Sequence, residues 1–311
     1  STPTVIGGLL PWSDASGYFG DATRLINGQS FSVFSGRRPL FPALLATLLA
    51  LTNQNLQATL AILTALTAGA CYLLFREIEH THGREAGTVV FLLVFFFYRR
   101  FIGQTMTENL GLALGLVSLA LLWRGAGQKQ QKLVLSGLFM LTVALNARAG
   151  AFFILPALIL WGGWAFRKGR GFSIQFLGLA TGLAVIAFGM NALVDRYLTV
   201  PGAAPFSNFS YTLYGLLSGG KGWTWVLTEH PELTRLPNPQ QSQLIYQMAI
   251  ALLRAHPFGL VQGSFKAWSD FLSLDYSGAY GYLSITSSNH LINQGIRLCL
   301  YLQNGSAHLR T

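Results

Sequence analysis

Two acids, Asp14 and Asp21, precede an Arg37-Arg38-Pro39 step within residues 13–42, ahead of a chain built mostly of apolar runs. A carboxylate within reach of a hydroxyl can take its proton, and a guanidinium fork can hold an oxyanion as charge builds on it. Two more groups of the same kinds follow, Glu108 in Thr107-Glu108-Asn109 and Arg148 in Asn146-Ala147-Arg148. Ionisable side chains are costly near lipid, so acids and arginines gathered at one membrane face are functional candidates. Each also has a plainer use. Asp14, after Ser13 and before a short helix, fits a helix N-cap. Asp21 fits a pairing with Arg24 on the same helix face. Arg37 fits snorkelling toward headgroups, and a Glu108–Arg148 salt bridge alone would satisfy both partners.

The elements that must position these groups are membrane helices. Of 311 residues 51% are hydrophobic and only 10% charged, with a mean hydropathy of +0.43; soluble domains carry roughly 25% charged residues. The net charge of +10 resides in short loops between apolar runs, where it sets orientation. No basic groove with interleaved aromatics is present, so nucleic acid is not an expected partner. Cys71 and Cys299 lie in apolar stretches without metal or redox spacing and read as small buried hydrophobes. The chain starts at Ser1, and its last apolar run, 292–302, is short of the ~20 residues a span needs. It therefore reads as a fragment of a longer polytopic protein.

Residues 40–51 are apolar but too short to span, as an interfacial or re-entrant helix would be. Residues 56–75 are long enough to cross, and a charged loop, REIEHTHGRE, follows them. Apolar runs at 86–98, 110–123, 133–145, 151–166 and 172–193 continue the pattern. The loops holding Arg124, Lys129 and Lys132, and Arg167, Lys168 and Arg170, are expected on the cytoplasmic side. Counting outward leaves Asp14, Asp21, Arg99, Arg100, Glu108 and Arg148 on the opposite face. Gly111 with Gly115, and Gly178 with Gly182, have the spacing of close helix packing. Residues 195–256 turn polar, aromatic and proline-broken, and the stretch from His256 is amphipathic, suited to the membrane interface.

Some motif resemblances carry no weight. Gly215-Leu216-Leu217-Ser218-Gly219-Gly220-Lys221-Gly222 lacks the Ser or Thr that a phosphate-binding P-loop needs after its lysine. His80 and His82 have no third ligand nearby, so no metal is expected there. The Asn208 and Asn304 sequons matter only in a secretory compartment.

Asp14 with Tyr18 four residues on, then Gly28, then Arg38 before Pro39, resembles the first outer loop of the GT-C membrane glycosyltransferases. The nearest group is that of the protein O-mannosyltransferases and the lipid A aminoarabinose transferase. Thr107-Glu108-Asn109 resembles that group's second acidic position; Lys221-Gly222-Trp223 and Ala255-His256-Pro257-Phe258 are similar to weaker features. In that family a first transmembrane helix precedes the loop, and Lys-Pro-Pro or Arg-Pro-Pro stands where this chain has Arg38-Pro39-Leu40. The resemblance implies an all-α, polytopic helical bundle of GT-C type with outer-face loops and interfacial helices. Its parts would be a catalytic first loop (1–55), a transmembrane bundle (56–194), an outer loop region with an interfacial helix (195–288) and the start of a further span (289–311).

The implied activity is transfer of a sugar from a polyprenyl-phosphate donor to a lipid, glycan or protein acceptor. It would take place on the periplasmic or extracytoplasmic face of the plasma membrane. Asp14 is then the expected base, with Glu108 the second catalytic acid. Arg38, Arg37 and Arg148 would hold the donor phosphate, and Tyr18, Asp21 and Asn146 would contact substrate. A monophosphate donor needs no obligatory metal, and no cofactor is expected. Two other readings fit the same face: a transporter or flippase for a lipid-linked or anionic substrate, and a GT-C enzyme using a lipid-diphosphate donor with a divalent metal.

Overall fold

A computed structural model of the chain describes residues 5–6, 10–148, 152, 154–203 and 207–272. The chain is mostly helical, 78%, with twelve α-helices among the described residues. The expected segment 289–311, Cys299 and the Asn304 sequon lie outside the described residues. The chain forms two compact units, one within Ser1–Tyr211 and His230–Tyr246, the other within Thr212–Glu229 and Gln247–Thr311.

The first unit opens with a small antiparallel ribbon, β1 (Val5–Ile6) on β2 (Leu10–Pro11). Helix α1 (Asp14–Ile26) follows, then the single turn α2 (Val33–Gly36) and α3 (Leu40–Leu51). Pro39 takes the N-cap position of α3, and after twelve residues, apolar apart from Thr47, Thr52 and Asn53 end it, so this helix matches the apolar run. Tyr18 and Ala22 of α1 pack on Phe41, Leu45 and Leu49 of α3, an i, i+4, i+8 stripe. The Tyr18 ring lies edge-on to Phe41 at 5.6 Å and tilted on Phe34 at 5.0 Å.

Helix α4 (Leu56–Tyr98) is capped by Asn55, whose side chain accepts from the Ala58 N–H. It is two limbs rather than one rod. Gly83, at φ 87°, breaks it, and Ala70, Cys71, Leu74 and Ile78 pack against Ala86, Val90 and Val94. The charged stretch expected as a loop thus forms the helical tips of a hairpin, with the turn confined to one glycine in the left-handed region.

The bundle continues with α5 (Glu108–Gly127), α6 (Gln131–Ala147), α7 (Ile154–Ala165) and α8 (Ile174–Leu198). Val134 and Leu138 of α6 pack with Phe176 and Ala180 of α8. Among the described residues three helices, α4, α5 and α8, are long and apolar enough to cross a membrane, consistent with a membrane protein. Of the expected small-residue contacts only Gly111 meets a neighbour; at Gly115, Gly178 and Gly182 a Cβ would find nothing within 4 Å. The tight α5–α6 approach uses Gly125 against Val134 and Gly137 against Leu122 instead.

In the later part of the chain are α9 (Ser207–Leu217), α10 (Trp225–Glu229), a 3₁₀ turn at Pro231–Arg235, α11 (Asn238–Ala255) and α12 (Gly259–Leu272). The lookalike phosphate motif begins on the last turn of α9 and bends back, with Lys221 N–H bonded to the Gly215 carbonyl and its ammonium over the Trp225 ring. The amphipathic stretch from His256 is α12, with Val261, Phe265 and Trp268 exposed along one face.

Candidate functional site

Asp14 is not the N-cap. Ser13 holds that position, at φ 54° and ψ −131° and without a side-chain cap bond, and Asp14 is the first helical residue, exposed. A non-glycine residue at positive φ is strained and persists where its surroundings fix it. What fixes α1 is the residue after Asp14: Thr105 Oγ1 donates to the Ala15 carbonyl at 2.7 Å, tying the start of α1 to the segment that leads into α5. That segment is itself held by Asn109. The Tyr98 hydroxyl donates to Asn109 Oδ1 at 2.8 Å, and Asn109 Nδ2 donates to the Gln104 carbonyl at 2.6 Å.

Glu108 begins α5, where the helix dipole favours an acid. It pairs with Arg148 at the end of α6, Nη2 to Oε1 at 3.0 Å, with the Glu108 side chain 8% exposed and Arg148 43% exposed. Thr107 Oγ1 sits between them, donating to Glu108 Oε2 at 3.2 Å and accepting from Arg148 Nη1 at 3.4 Å. The approach requires a glycine, because a Cβ at Gly111 would lie 2.6 Å from the Arg148 Cβ.

Tyr18 is where these groups meet. It is buried, and burial is the main reason its phenol is pushed above the usual tyrosine range; Arg38 and Arg148 act on it in the opposite sense, while Asp14 and Glu108 add to the rise. The structure thus brings Asp14, Arg38, Glu108 and Arg148 within electrostatic reach of one tyrosine, though they come from four places in the sequence. The two neighbouring arginines part company. Arg38 acts on Tyr18, whereas Arg37 acts on Tyr211 in the second turn of α9, and Arg37 Nε is buried without a hydrogen-bond partner.

The other expected contacts are placed differently. Asp21 is buried and committed to the loop before α2: Oδ1 accepts from the Ser32 N–H at 3.0 Å and Oδ2 from the Ser32 hydroxyl at 2.6 Å. Arg24 Nε lies 3.7 Å from it, the pairing expected along this helix face. Asn146 is fully buried at the end of α6 and donates to the Thr142 carbonyl at 2.8 Å, leaving its Oδ1 without a partner. Sequence reasoning missed Asp195, Thr105 and the Tyr98–Asn109 link. Asp195 carried a signal, a lone acid near the end of an apolar helix.

The opposite end of the bundle holds the basic loops. Glu77, on the first limb of α4, pairs with Arg124 at 3.4 Å, and Trp123 Nε1 donates to Thr81 Oγ1 at 2.8 Å. Two clefts of about 550 and 500 Å³ lie on α6 with Leu183, and around Gln131 with the α7–α8 loop; neither includes a residue of the acid and arginine cluster. Among the described residues no group of three His, Cys, Asp or Glu side chains could hold a metal. The cluster offers carboxylates, which can accept a proton, and guanidinium groups, which can pair with an anion. No protein family, characterised protein or solved structure matches the chain, so its chemistry is read from these residues alone.

Proposed function

We propose that the chain is a membrane glycosyltransferase of GT-C type that uses a polyprenyl-phosphate sugar donor on the extracytoplasmic face of the plasma membrane. The observation that carries this reading is the convergence on buried Tyr18 of two acids and two arginines at one end of an apolar helical bundle. The basic loops at the other end support the sidedness. In the reaction, an acceptor hydroxyl oxygen bonds to the anomeric carbon, the bond from that carbon to the phosphate oxygen breaks, and the acceptor proton passes to Asp14. Arg38 and Arg148 hold the departing lipid phosphate, whose charge rises as the bond breaks. Glu108 fixes the Arg148 fork, and its carboxylate is the second acid of the site. The acceptor is a lipid, glycan or protein hydroxyl.

The test uses full-length protein and donor labelled in the sugar. An enzyme releases unlabelled polyprenyl phosphate as label enters the acceptor, and Arg38→Ala lowers turnover by more than tenfold, roughly the worth of one charge-assisted contact to the leaving group. Movement of intact labelled donor across the membrane, with the sugar–phosphate bond unbroken, would instead establish a transporter.

A further inference from the structure

The two clefts of the first unit both begin on the first turn of α6, at the end away from the acid and arginine cluster. The smaller is lined by Gln131 and by residues 166–175, which join α7 to α8 and bring Arg167, Lys168 and Arg170 but no acid. Among the described residues no carboxylate pairs with these three or with Lys132, whereas Arg124 at the same end is matched by Glu77. The connection is held at several points. The Ser173 N–H donates to the Gly163 carbonyl at 2.8 Å, Phe166 stacks on Phe176 at 5.3 Å, and a Cβ at Gly162 would strike the Phe176 ring. Arg167 is placed by a bond from Nη1 to the Trp164 carbonyl at 2.9 Å, with its guanidinium over the Trp164 ring at 4.3 Å. Trp164 is itself exposed, as tryptophans at the headgroup level of a membrane are.

The larger cleft starts from Lys132 and continues along α6 as Leu135, Ser136, Phe139 and Met140, at i+3, i+4, i+7 and i+8, with Leu183 of α8 beside them. One face of one helix thus passes from a lysine to a mostly apolar trough. From Lys132 to Met140 the trough runs about 12 Å away from the basic end, at 1.5 Å per residue. The hydrocarbon of a single leaflet is ~15 Å deep, so the trough has the length of an acyl chain's first part and its mouth lies beside four unpaired cations.

We infer that this end of the bundle binds one anionic phospholipid, with its phosphate among Lys132, Arg167, Lys168 and Arg170 and an acyl chain in the trough along α6. The charge decides the headgroup: the lining holds cations and no acid, and a basic pocket between membrane helices attracts an anionic headgroup. A zwitterionic headgroup brings an ammonium of its own to meet those cations. The trough decides between a lipid and a soluble anion, because a free phosphate gains nothing from Leu135, Phe139, Met140 and Leu183. The site lies on the face opposite Asp14 and Glu108, and it requires only that the bundle sits in a membrane, so it goes beyond the glycosyl-transfer reading and does not depend on it.

The experiment titrates the full-length protein in detergent with dioleoyl phosphatidylglycerol, dioleoyl phosphatidylcholine and glycerol 3-phosphate, and counts bound molecules by mass spectrometry of the intact complexes. One phosphatidylglycerol is expected to bind about tenfold more tightly than phosphatidylcholine, and glycerol 3-phosphate is expected not to compete with it. Lys168→Gln with Arg170→Gln, both at exposed positions, brings phosphatidylglycerol to within about twofold of phosphatidylcholine. Ser136→Phe, which fills the trough from an exposed position, weakens phosphatidylglycerol by a similar factor with the cations intact. Arg124→Gln, at the same end but outside both clefts, leaves the preference unchanged. Equal wild-type affinity for the two lipids overturns the site. So does a loss of preference in Arg124→Gln as large as in the double variant, since any surface cation would then serve. Competition by glycerol 3-phosphate, or full binding by Ser136→Phe, also overturns it, by showing a site for a soluble anion.

Discussion

Breaking the Glu108–Arg148 pair from its two sides should cost different amounts. Arg148→Met keeps the stem that packs near Gly111 but strands a carboxylate that is 8% exposed, with only Thr107 left to donate to it. Stranding a buried charge costs ~3–5 kcal/mol, and the low end applies here because Thr107 remains. Glu108→Gln strands a guanidinium that is 43% exposed, so water replaces much of what is lost and the amide oxygen still accepts. The cost is about 1 kcal/mol. The difference, about 2 kcal/mol, is roughly thirtyfold in the unfolding constant. Denaturant unfolding of the purified full-length variants in one detergent measures it. The double variant should be more stable than Arg148→Met alone, because it leaves no unpaired charge. A Glu108→Gln variant as damaged as Arg148→Met, or a double variant less stable than either, would refute the reasoning that burial sets the cost.

Tyr18 gives a pH signature. Its folded pKa is raised by burial, so its contribution to stability is fully present below the unfolded value near 10 and is lost as pH rises through the folded value. The stability of wild type relative to Tyr18→Phe should therefore fall only above about pH 10; a rise there would contradict the burial. Gly111→Ala should destabilise by about 1–3 kcal/mol through the clash with Arg148. Gly115→Ala, with open space around it, should be neutral or stabilising by up to ~1 kcal/mol in the same unfolding assay. Cysteines at Gln130 and Gly169, exposed in the basic loops, should resist an impermeant thiol reagent in intact cells while one at exposed Gly20 reacts; the reverse pattern would invert the topology.

The helices were legible where composition alone decides them. Residues 40–51 form the expected twelve-residue helix because proline opens it and polar residues close it. The stretch 76–85 departs from its expected loop because Arg, Glu and His propagate a helix well enough, and Arg76 and Glu79 sit one turn apart at 3.6 Å. Glu108 and Arg148 were legible as a pair, since each needed a partner and both flank apolar runs. That both lie within electrostatic reach of Tyr18, as Asp14 does, was not, because it depends on how α1 packs on α3 and on the Thr105 bond to Ala15, contacts that no spacing encodes. The Ser13 N-cap was hidden by its positive φ, and the approach of α2 to the end of α8 by Gly36, whose value lies in the side chain it lacks.

The central proposal turns on Asp14 as a proton acceptor. Since Ser13 holds the cap, Asp14→Asn removes a charge near a helix N-terminus, worth ~0.3–1 kcal/mol of stability. Loss of a general base costs 10²–10⁴-fold, roughly 3–5 kcal/mol of barrier. The direct measurement is single-turnover transfer from labelled polyprenyl-phosphate sugar by full-length Asp14→Asn, with donor binding followed on the same sample. The expected result is a folded, membrane-inserted protein that binds donor as wild type does and transfers sugar at least ~100-fold more slowly. Near-normal transfer by Asp14→Asn, with Glu108→Gln or Asp21→Asn inactive, would contradict the placement of the base, and near-normal transfer by all three would contradict the site.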